Sequence, residues 1–492
     1  MIVTFVAGSL PLSRQFIIRS NTFIPIIMTI TQRYLPVLFA GMLLFTACKK
    51  DKPDATPPPP PPAGGGGGAV TFNPDLLKDT ALLYSRDIYF WNAQIPATFN
   101  ARSHADPAAI MTAIRPYSNE PGFGTPVDRW SFAMKKTEWE LVSGGMGALI
   151  GTTQEDGDFG LSVFFRVEGD LRVRMVEPLS PAGRAGIRRG WRITKINGTG
   201  NLTTANSSTI IENVYNATTT SFEFTKPDGT TQTTTLTAAI YTEKPVYMDT
   251  VYTVDNKKIG YLVFNSFLGN QQNISAEFDR VFSKFANAQI TDLVVDLRYN
   301  GGGYVTLAEK LANYLVPSGS NGGIMMKQVY NAQNSQHNET TYMQKTGSLE
   351  LSKVYFIVTR STASASELLI NTLKPYMDVR VLGPTNTHGK PVGFFPISVG
   401  DWYVFPVSFK TTNKNGEGSY FSGLPVNAVI ADGLDKDWGD VTESSLASAI
   451  KNITTGAYMR AVTEFAGPSP AVENSNEKLD DPFIKITIGK GF

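Results

Sequence analysis

Segments with the lengths and apolar spacings of strands and helices alternate along the chain from about residue 245. The runs "KKIGYLVFNSF", "TDLVVDLR" and "KVYFIVTR" are apolar over the length of a buried strand. The segments "AEFDRVFSKFANA", "YVTLAEKLANYLV" and "SELLINTLKPYM" place apolar residues at helical spacing. Strands that alternate with helices in this way predict a mostly parallel α/β layer, here over residues 245–460.

The 492 residues exceed what one hydrophobic core usually organises, so several domains are expected. Residues 71–140 predict a small N-terminal helical domain, because "NPDLLKDTALLYSRDIYFW" begins with Asn-Pro and continues at helical spacing. Residues 141–240 hold β-rich pieces such as "FGLSVFFRV", with turn signals such as "PDGT" between them. Residues 461–492 form a tail, and its polar stretch from about 466, "GPSPAVENSNEKLDD", predicts poor order.

The first 70 residues predict an export signal followed by a linker. Residues 28–48 place an apolar run of about a dozen residues after Arg33, short for a membrane span and typical of a signal peptide. We assign residues 1–47 to the signal region, with Met28 as the more natural start. Residues 48–70 contain six consecutive prolines and five consecutive glycines, which form a linker with no core.

Charge and cysteine content exclude several classes of protein. Lysine and arginine total 44 against 43 aspartates and glutamates, so no basic field indicates nucleic acid as a partner. The single cysteine, Cys48, excludes an internal disulfide framework. The sequence shows no spacing typical of metal ligands, and we expect neither a metal ion nor an organic cofactor.

Three loops follow predicted strands of the α/β layer, where the sites of such sheets usually gather. In the first, "DLRYNGGGY" at 296–304, three glycines expose backbone amides as an oxyanion site requires, although glycines also make plain turns. In the second, "TRSTASASELL" at 359–369, a serine stands between a strand end and a helix start. The helix amides there suit either a stabilised alkoxide or a simple N-cap.

The third loop, "GPTNTHGKPVG" at 383–393, contains Lys390. Burial without a counter-ion lowers the pKa of a lysine, in extreme cases by several units, and the neutral amine can then accept a serine proton. A serine–lysine pair needs no histidine, and this chain has three. The alternatives are a solvated loop lysine, or His388 as the base.

The middle of the β-rich segment, "VRMVEPLSPAGRAGIRRGWRITKINGTGN", predicts a strand, a short helix opened by Ser180-Pro181 and a turn at Gly190. It resembles a PDZ domain, although Trp191 stands where aspartate is usual. PDZ domains bind an extended C-terminal peptide as an added strand and hold its carboxylate with backbone amides. The resemblance implies "FGLSV" as that loop, with "GMGAL" at 145–149 as the alternative. The implied peptide-binding residues are Phe159, Gly160, Leu161, Ser162 and Val163.

The three loops in this order, after a PDZ-like segment, resemble the tail-specific, or C-terminal processing, serine proteases. The resemblance covers most of residues 71–460 and is weakest in the N-terminal helices. It implies a crotonase-like protease domain of stacked strand–strand–helix (ββα) units over residues 245–460. It also implies Ser364 as nucleophile and Lys390 as general base. The implied oxyanion hole consists of the backbone amides of Gly302 or Gly303 and of Ala365.

Some members of that family carry a third polar catalytic residue, and this chain departs from them. The two positions that supply this residue hold Pro375 and Phe394. We therefore expect a dyad and not a triad. Glu367 is expected to anchor the serine loop. The remaining serines of that loop, Ser361 and Ser366, are expected to be structural.

The signal region ends in "LLFTAC", which resembles a bacterial lipobox except for Phe45, where leucine is commoner. This resemblance implies that Cys48 is lipidated and becomes the mature N-terminus. The charged residues directly after Cys48 resemble the export signal of surface lipoproteins in the Bacteroidetes. The implied location is the cell envelope, with the protein lipid-anchored and either periplasmic or exposed at the outer membrane. A cleaved signal with an incidental cysteine is the alternative.

These resemblances imply a serine endopeptidase that cleaves proteins whose free C-terminal tails are recognised by the PDZ domain. A hypothesis from another class is a non-catalytic, peptide-binding lipoprotein with a decayed dyad, which the missing third polar residue favours. A crotonase-like acyl-CoA enzyme would share the fold, but the PDZ-like segment and the lipoprotein start argue against it.

Overall fold

The computed structural model of the chain describes residues 72–143, 157–459, 469–476 and 478–479. The described residues all belong to one compact unit. The predicted signal region, Cys48, the whole of the linker and the alternative loop at 145–149 lie outside the described residues. Within the described ranges, no helix has the length and apolarity needed to cross a bilayer.

Helices and strands occupy about half of the described chain. The helices are α1 (Pro74–Ile88), α2 (Pro107–Ile114), α3 (Lys136–Ser143), α4 (Pro181–Arg184), α5 (Ser207–Ile211), α6 (Gln271–Ala288), α7 (Val305–Leu315), α8 (Ala365–Leu373), α9 (Ser444–Thr455) and α10 (470–476). The first nine strands are β1 (Phe132–Lys135), β2 (Leu161–Phe165), β3 (Leu171–Val176), β4 (Arg192–Ile196), β5 (Thr219–Thr225), β6 (Thr231–Thr237), β7 (Val246–Val254), β8 (Lys257–Phe264) and β9 (Asp292–Asp296). The others are β10 (Ile324–Tyr330), β11 (Glu339–Tyr342), β12 (Lys353–Ile357), β13 (Asp378–Gly383), β14 (Val392–Gly393), β15 (Ile397–Val399), β16 (Trp402–Phe405), β17 (Phe409–Thr412) and β18 (Ala428–Val429).

A six-stranded sheet in the order β18-β13-β12-β9-β8-β7 forms the centre of the C-terminal half. All neighbours in it are parallel except β7 and β8, which confirms the predicted α/β class. Helices α6, α7 and α8 supply core residues on one side, among them Phe278, Leu311 and Leu369, and α9 supplies Leu446 to a second cluster. Burial on both faces explains why the central strands are continuous apolar runs.

The β-rich segment folds as a five-stranded antiparallel sheet in the order β2-β3-β4-β5-β6. Helix α4 begins as predicted, with the Ser180 side chain accepting the Gly183 amide and Pro181 in the first turn. The sheet encloses its own core, which includes Val163 and Phe222. Strand β2 is an edge strand, and one side of its backbone therefore pairs with no other strand of this sheet.

The N-terminal helices form as predicted but do not enclose a core of their own. Strand β1 pairs antiparallel with β16, some 270 residues later in the chain. Trp130 packs in one cluster with Val404 and Phe405. The N-terminal segment therefore shares its core with residues 392–421, which cover its apolar face, and is not separate from the predicted protease domain.

The expectation of a poorly ordered tail from residue 466 is wrong for residues 469–476 and 478–479. Helix α10 lies there, and Val472 and Leu479 are 1% and 0% exposed within the core of the five-stranded sheet. Two buried apolar residues therefore order a segment whose other residues are mostly polar.

Candidate active site

The three predicted loops meet at the carboxyl ends of strands β9, β12 and β13. These strands are parallel neighbours, so the loops that follow them leave the sheet at the same edge. The Ala363 amide donates to the Asn300 carbonyl at 3.1 Å, which joins the first loop to the second. The His388 amide donates to the Thr362 carbonyl at 2.9 Å, which joins the second to the third.

Ser364 lies at the start of helix α8 and is 2% exposed. Its φ of 55° and ψ of −115° fall in a region that residues with a side chain rarely adopt. Its amide donates to the Glu367 carboxylate at 3.0 Å, which stabilises this backbone conformation. Strained backbone held by such contacts is common at functional sites.

The glycine loop passes close to the backbone of Ser364. At Gly302, with φ of +102°, an added Cβ would lie 2.8 Å from the Ser364 Cβ. At Gly303, with φ of +139°, it would lie 2.3 Å from the carbonyl carbon of Phe267. Both positions therefore require glycine, for conformation and for space.

The backbone amides near Ser364 differ in their hydrogen bonds. The Gly302 amide donates to Asn300 Oδ1 at 3.0 Å. The backbone of Phe267 forms two hydrogen bonds with this loop. Its amide donates to the Gly302 carbonyl and its carbonyl accepts the Tyr304 amide, both at 3.0 Å, so the Gly303 amide takes part in neither. Ala365 is the first residue of α8, so its amide has no intrahelical acceptor. Of the two glycines predicted from the sequence, Gly302 thus has its amide bonded within the loop, and Gly303 remains the candidate donor beside Ala365.

Lys390 is 3% exposed, in contrast to a solvated loop lysine. Burial lowers the pKa of its amine from 10.5 to about 7, while the nearby carboxylates of Glu367 and Asp128 oppose the fall. The Nζ atom lies 4.3 Å from the centroid of the Phe394 ring, in a cation–π contact. Phe394 thus places an apolar ring beside the amine, at one of the two positions where the sequence resemblance allows a third polar residue.

Glu367 connects the second and third loops. Its buried carboxylate accepts the amides of Gly389 at 2.6 Å and Lys390 at 2.8 Å, in addition to that of Ser364. The Thr387 hydroxyl donates to the same carboxylate. Burial raises the pKa of Glu367, while these hydrogen bonds act in the opposite direction. The predicted anchoring role thus agrees with its contacts, and it holds two loops and not one.

The three other loop residues considered from the sequence, Ser361, Ser366 and His388, make hydrogen bonds that hold the loops in place. Ser366 Oγ donates to the Asn300 carbonyl at 3.1 Å, and the Ser361 amide donates to Thr359 Oγ1 at 3.3 Å. His388 Nε2 accepts from Trp130 Nε1 at 3.3 Å. Burial, followed by the charge of Arg129 and other cations, lowers the pKa of His388 to about 3. A weakly basic imidazole whose Nε2 already accepts a hydrogen bond is a poor general base.

Sequence reasoning missed two residues that shape the site. Asn300 stands directly before the glycines, and its side chain also donates to the Phe264 carbonyl at 3.0 Å, which supports the first loop. Asp128 accepts the amides of Trp130 and Ser131 and acts on Lys390 electrostatically. Asn300 could have been recognised from the sequence, because it stands directly before the glycine run. No local pattern identified the second, which comes from the N-terminal segment.

The predicted peptide-binding loop of the five-stranded domain leads into strand β2. Gly160 has φ of +68°, and an added Cβ there would lie 2.0 Å from the Ser180 Cβ. The Gly160 amide donates to Asp158 Oδ1 at 2.6 Å, and the Val163 amide donates to the Tyr215 hydroxyl at 3.0 Å. The side chains around this loop are mostly buried, with Phe159, Leu161, Ser162 and Val163 at most 5% exposed. Two of the amides expected to bind a peptide are therefore bonded to the chain itself.

No group of three or more histidine, cysteine, aspartate or glutamate side chains that could hold an ion occurs within the part of the chain that the structure describes.

Comparison with protein families matches residues 258–422 to the model of "Peptidase family S41". A relative from Staphylococcus aureus, named "Probable CtpA-like serine protease", is 27% identical over 241 residues, 48% of this chain and 45% of the relative. A protein of the same name from Staphylococcus epidermidis is 28% identical over 134 residues, 27% of this chain and 26% of that one. The chain thus spans about half the length of the first of these curated relatives.

Comparison with solved structures gives a shared fold for one of the two neighbours described here. A chain from Bacteroides fragilis assigned to the S41 proteases superposes with a TM-score of 0.61 at 22% identity, covering 78% of this chain and 98% of that one. The photosystem II D1 C-terminal processing protease gives a TM-score of 0.45 at 19% identity, covering 73% and 93%. At 22% identity, the likeness to the Bacteroides fragilis chain shows a shared fold and nothing finer. Residues 258–422 are thus similar to peptidase family S41, and the chain is similar to proteins named as CtpA-like serine proteases.

Proposed function

We propose that the chain is a serine endopeptidase in which Ser364 and Lys390 form a catalytic dyad. The observation that carries this proposal is the environment of Lys390, whose buried amine has a pKa of about 7. At that pKa about half of the amine is neutral at pH 7, against roughly 0.03% for a lysine with the ordinary value. The shared Glu367 carboxylate supports the pairing, because it holds the backbones of both residues.

The proposed reaction is the transfer of the peptide's acyl group to Ser364, followed by hydrolysis of the acyl-enzyme. Ser364 Oγ forms a bond to the carbonyl carbon of the peptide, and its proton moves to the neutral amine of Lys390. The amides of Gly303 and Ala365 donate to the oxyanion of the tetrahedral intermediate. The carbon–nitrogen bond then breaks, and the leaving amine takes the proton from Lys390. A water molecule attacks the acyl-enzyme with Lys390 again as base, which releases the acid and restores Ser364.

We infer that the five-stranded domain is a PDZ domain and that its ligands are proteins or peptides with free C-termini. Support comes from the edge position of β2 and from the glycine loop that precedes it. A peptide carboxylate at this loop would have to displace Asp158 from the Gly160 amide. Micromolar affinity is therefore expected, and amidation of the peptide terminus should weaken binding sharply. Equal affinity for acid and amide peptides would contradict this part of the proposal.

The location proposed from the sequence is the cell envelope, with the chain anchored by a lipid on Cys48. The lipobox-like "LLFTAC" and the Pro/Gly linker support it. Palmitate labelling of the wild type and of Cys48→Ala tests it, and equal labelling of the two would overturn it.

A second candidate is a peptide-binding protein without catalytic activity, which the apolar contact of Lys390 with Phe394 favours. Cleavage of an unstructured reporter protein separates the two candidates. We expect the wild type and Ser361→Ala to cleave the reporter and Ser364→Ala to be inactive while it remains folded. No cleavage by the wild type at any pH from 6 to 9 would favour the second candidate.

A further inference from the structure

We propose that residues 470–479 occupy the peptide groove of the five-stranded domain and thereby block it from within the same chain. The groove is defined here by the edge strand β2 and by helix α5 with the turn that follows it, Glu212–Asn216. This inference rests on the proposed function of that domain in peptide binding. It does not depend on the catalytic role of Ser364.

The first observation concerns Asn476 and the backbone of strand β2. The Phe165 amide donates to Asn476 Oδ1 at 2.7 Å, and Asn476 Nδ2 donates to the Phe165 carbonyl at 2.9 Å. In an antiparallel pair, a residue on the added strand would exchange the same two hydrogen bonds with Phe165. The side-chain amide of Asn476 therefore takes the place of an added strand.

The second observation is on the opposite wall of the groove. Ser475 is 3% exposed, and its hydroxyl forms a hydrogen bond with that of Ser207 in helix α5. Val472 and Leu479, on either side of it in sequence, are buried in the same core as Phe165. The segment thus contacts the strand, the helix and the core between them, which are the three elements a bound peptide would contact.

The third observation is the pattern of exposure along α10. Ala471, Glu473, Asn474 and Lys478 are exposed. The buried and bonded residues are Val472, Ser475, Asn476 and Leu479. Spacings of three, four and seven place these four on one face of a helix. The face that occupies the groove is therefore amphipathic, with an amide and a hydroxyl between two apolar residues.

A tethered occupant competes strongly with a free ligand. An intramolecular segment acts at an effective concentration of about a millimolar. If the groove binds the free segment with a Kd of about 10 µM, self-docking weakens any competing peptide about 100-fold. Ligands of this groove must accordingly displace residues 470–479.

The test uses the full chain and a labelled peptide, SPAVENSNEKL, with the sequence of residues 469–479. Asn476→Asp replaces the amide group that donates to the Phe165 carbonyl with a charged oxygen that repels it. Asn474→Asp makes the same chemical change at an exposed position of the same helix and is the matched control. We expect Asn476→Asp to bind the peptide at least tenfold more tightly than the wild type, and Asn474→Asp to match the wild type.

Hydrogen exchange gives a second measurement that requires no added peptide. The Phe165 amide should lose protection in Asn476→Asp and keep it in Asn474→Asp. Ser475→Ala removes only a hydroxyl. It should change peptide binding and amide protection in the same direction as Asn476→Asp, but by a smaller amount. This variant also tests the inference if Asn476→Asp fails to fold. Equal peptide binding by all variants would overturn the inference. If the wild type does not cleave the reporter protein, the proposed catalysis is contradicted, whereas the expected peptide binding and amide protection stay the same.

Discussion

The backbone amide of Lys390 lies 2.8 Å from the carboxylate of Glu367, in a loop 23 residues further along the chain. The same carboxylate accepts the Ser364 amide at 3.0 Å. One buried acidic side chain therefore sets the relative position of the two residues of the proposed dyad. Because the two loops follow neighbouring parallel strands, a single residue on one loop can reach both.

Replacing Glu367 with glutamine should lower the rate of reporter cleavage by one to two orders of magnitude. The glutamine NH2 group would oppose at least one backbone N–H, and an unsatisfied buried group costs about 1–3 kcal/mol. The Glu367 charge also raises the pKa of Lys390, so its removal should shift the pH–rate profile toward acid. A purely structural role for Glu367 would reduce the rate without moving the profile.

Replacing Lys390 with methionine should abolish cleavage and raise the melting temperature at neutral pH by a few degrees. The pKa of Lys390 falls from 10.5 in the unfolded chain to about 7 on folding. Protonation therefore favours the unfolded chain, and this cost is complete below pH 7, decreases as the pH rises and vanishes above pH 10.5. The stability gain of Lys390→Met should accordingly shrink between pH 7 and pH 9.

Lys451→Met, at an exposed position of α9, is the control for this comparison. It should show no such dependence on pH. A Lys390→Met variant that is destabilised equally at every pH would indicate that Lys390 contributes packing only, and would contradict the lowered pKa.

Replacing Gly302 with alanine should reduce the catalytic rate about 100-fold or more. A methyl group there would lie 2.8 Å from the Ser364 Cβ and 2.9 Å from the Ala365 amide nitrogen. Either the serine or an oxyanion donor would move, and loss of one such donor costs about 100- to 1,000-fold. Gly124→Ala, where an added Cβ meets nothing within 4 Å, should retain full activity. Wild-type kinetics in Gly302→Ala would exclude this loop from the reaction.

The three loops of the site could be predicted from the sequence because each is a local pattern directly after a buried strand. The contributions of Asp128 and Trp130 could not, because they reach the third loop from about 260 residues away, across a shared core. Periodicity identifies an apolar face but not the segment that covers it. The sequence pattern of the N-terminal segment therefore predicted a separate domain.

The docking of residues 470–479 escaped the sequence analysis for a related reason. Val472 and Leu479 are seven residues apart, with mostly polar residues between them, so the segment lacks the dense apolar stripe of an ordinary helix. Its order depends on specific hydrogen bonds to Phe165 and Ser207. Such contacts have no signature in local composition.

The rate at which a fluorophosphonate labels Ser364, measured from pH 5 to pH 9 with the site identified by mass spectrometry, tests the proposed dyad most directly. The wild type should label with a midpoint near pH 7, because labelling needs the neutral amine of Lys390. Lys390→Arg should not label, since arginine keeps its proton at these pH values, and His388→Ala should label like the wild type. Labelling that persists in Lys390→Arg and disappears in His388→Ala would contradict the dyad and make the histidine the base.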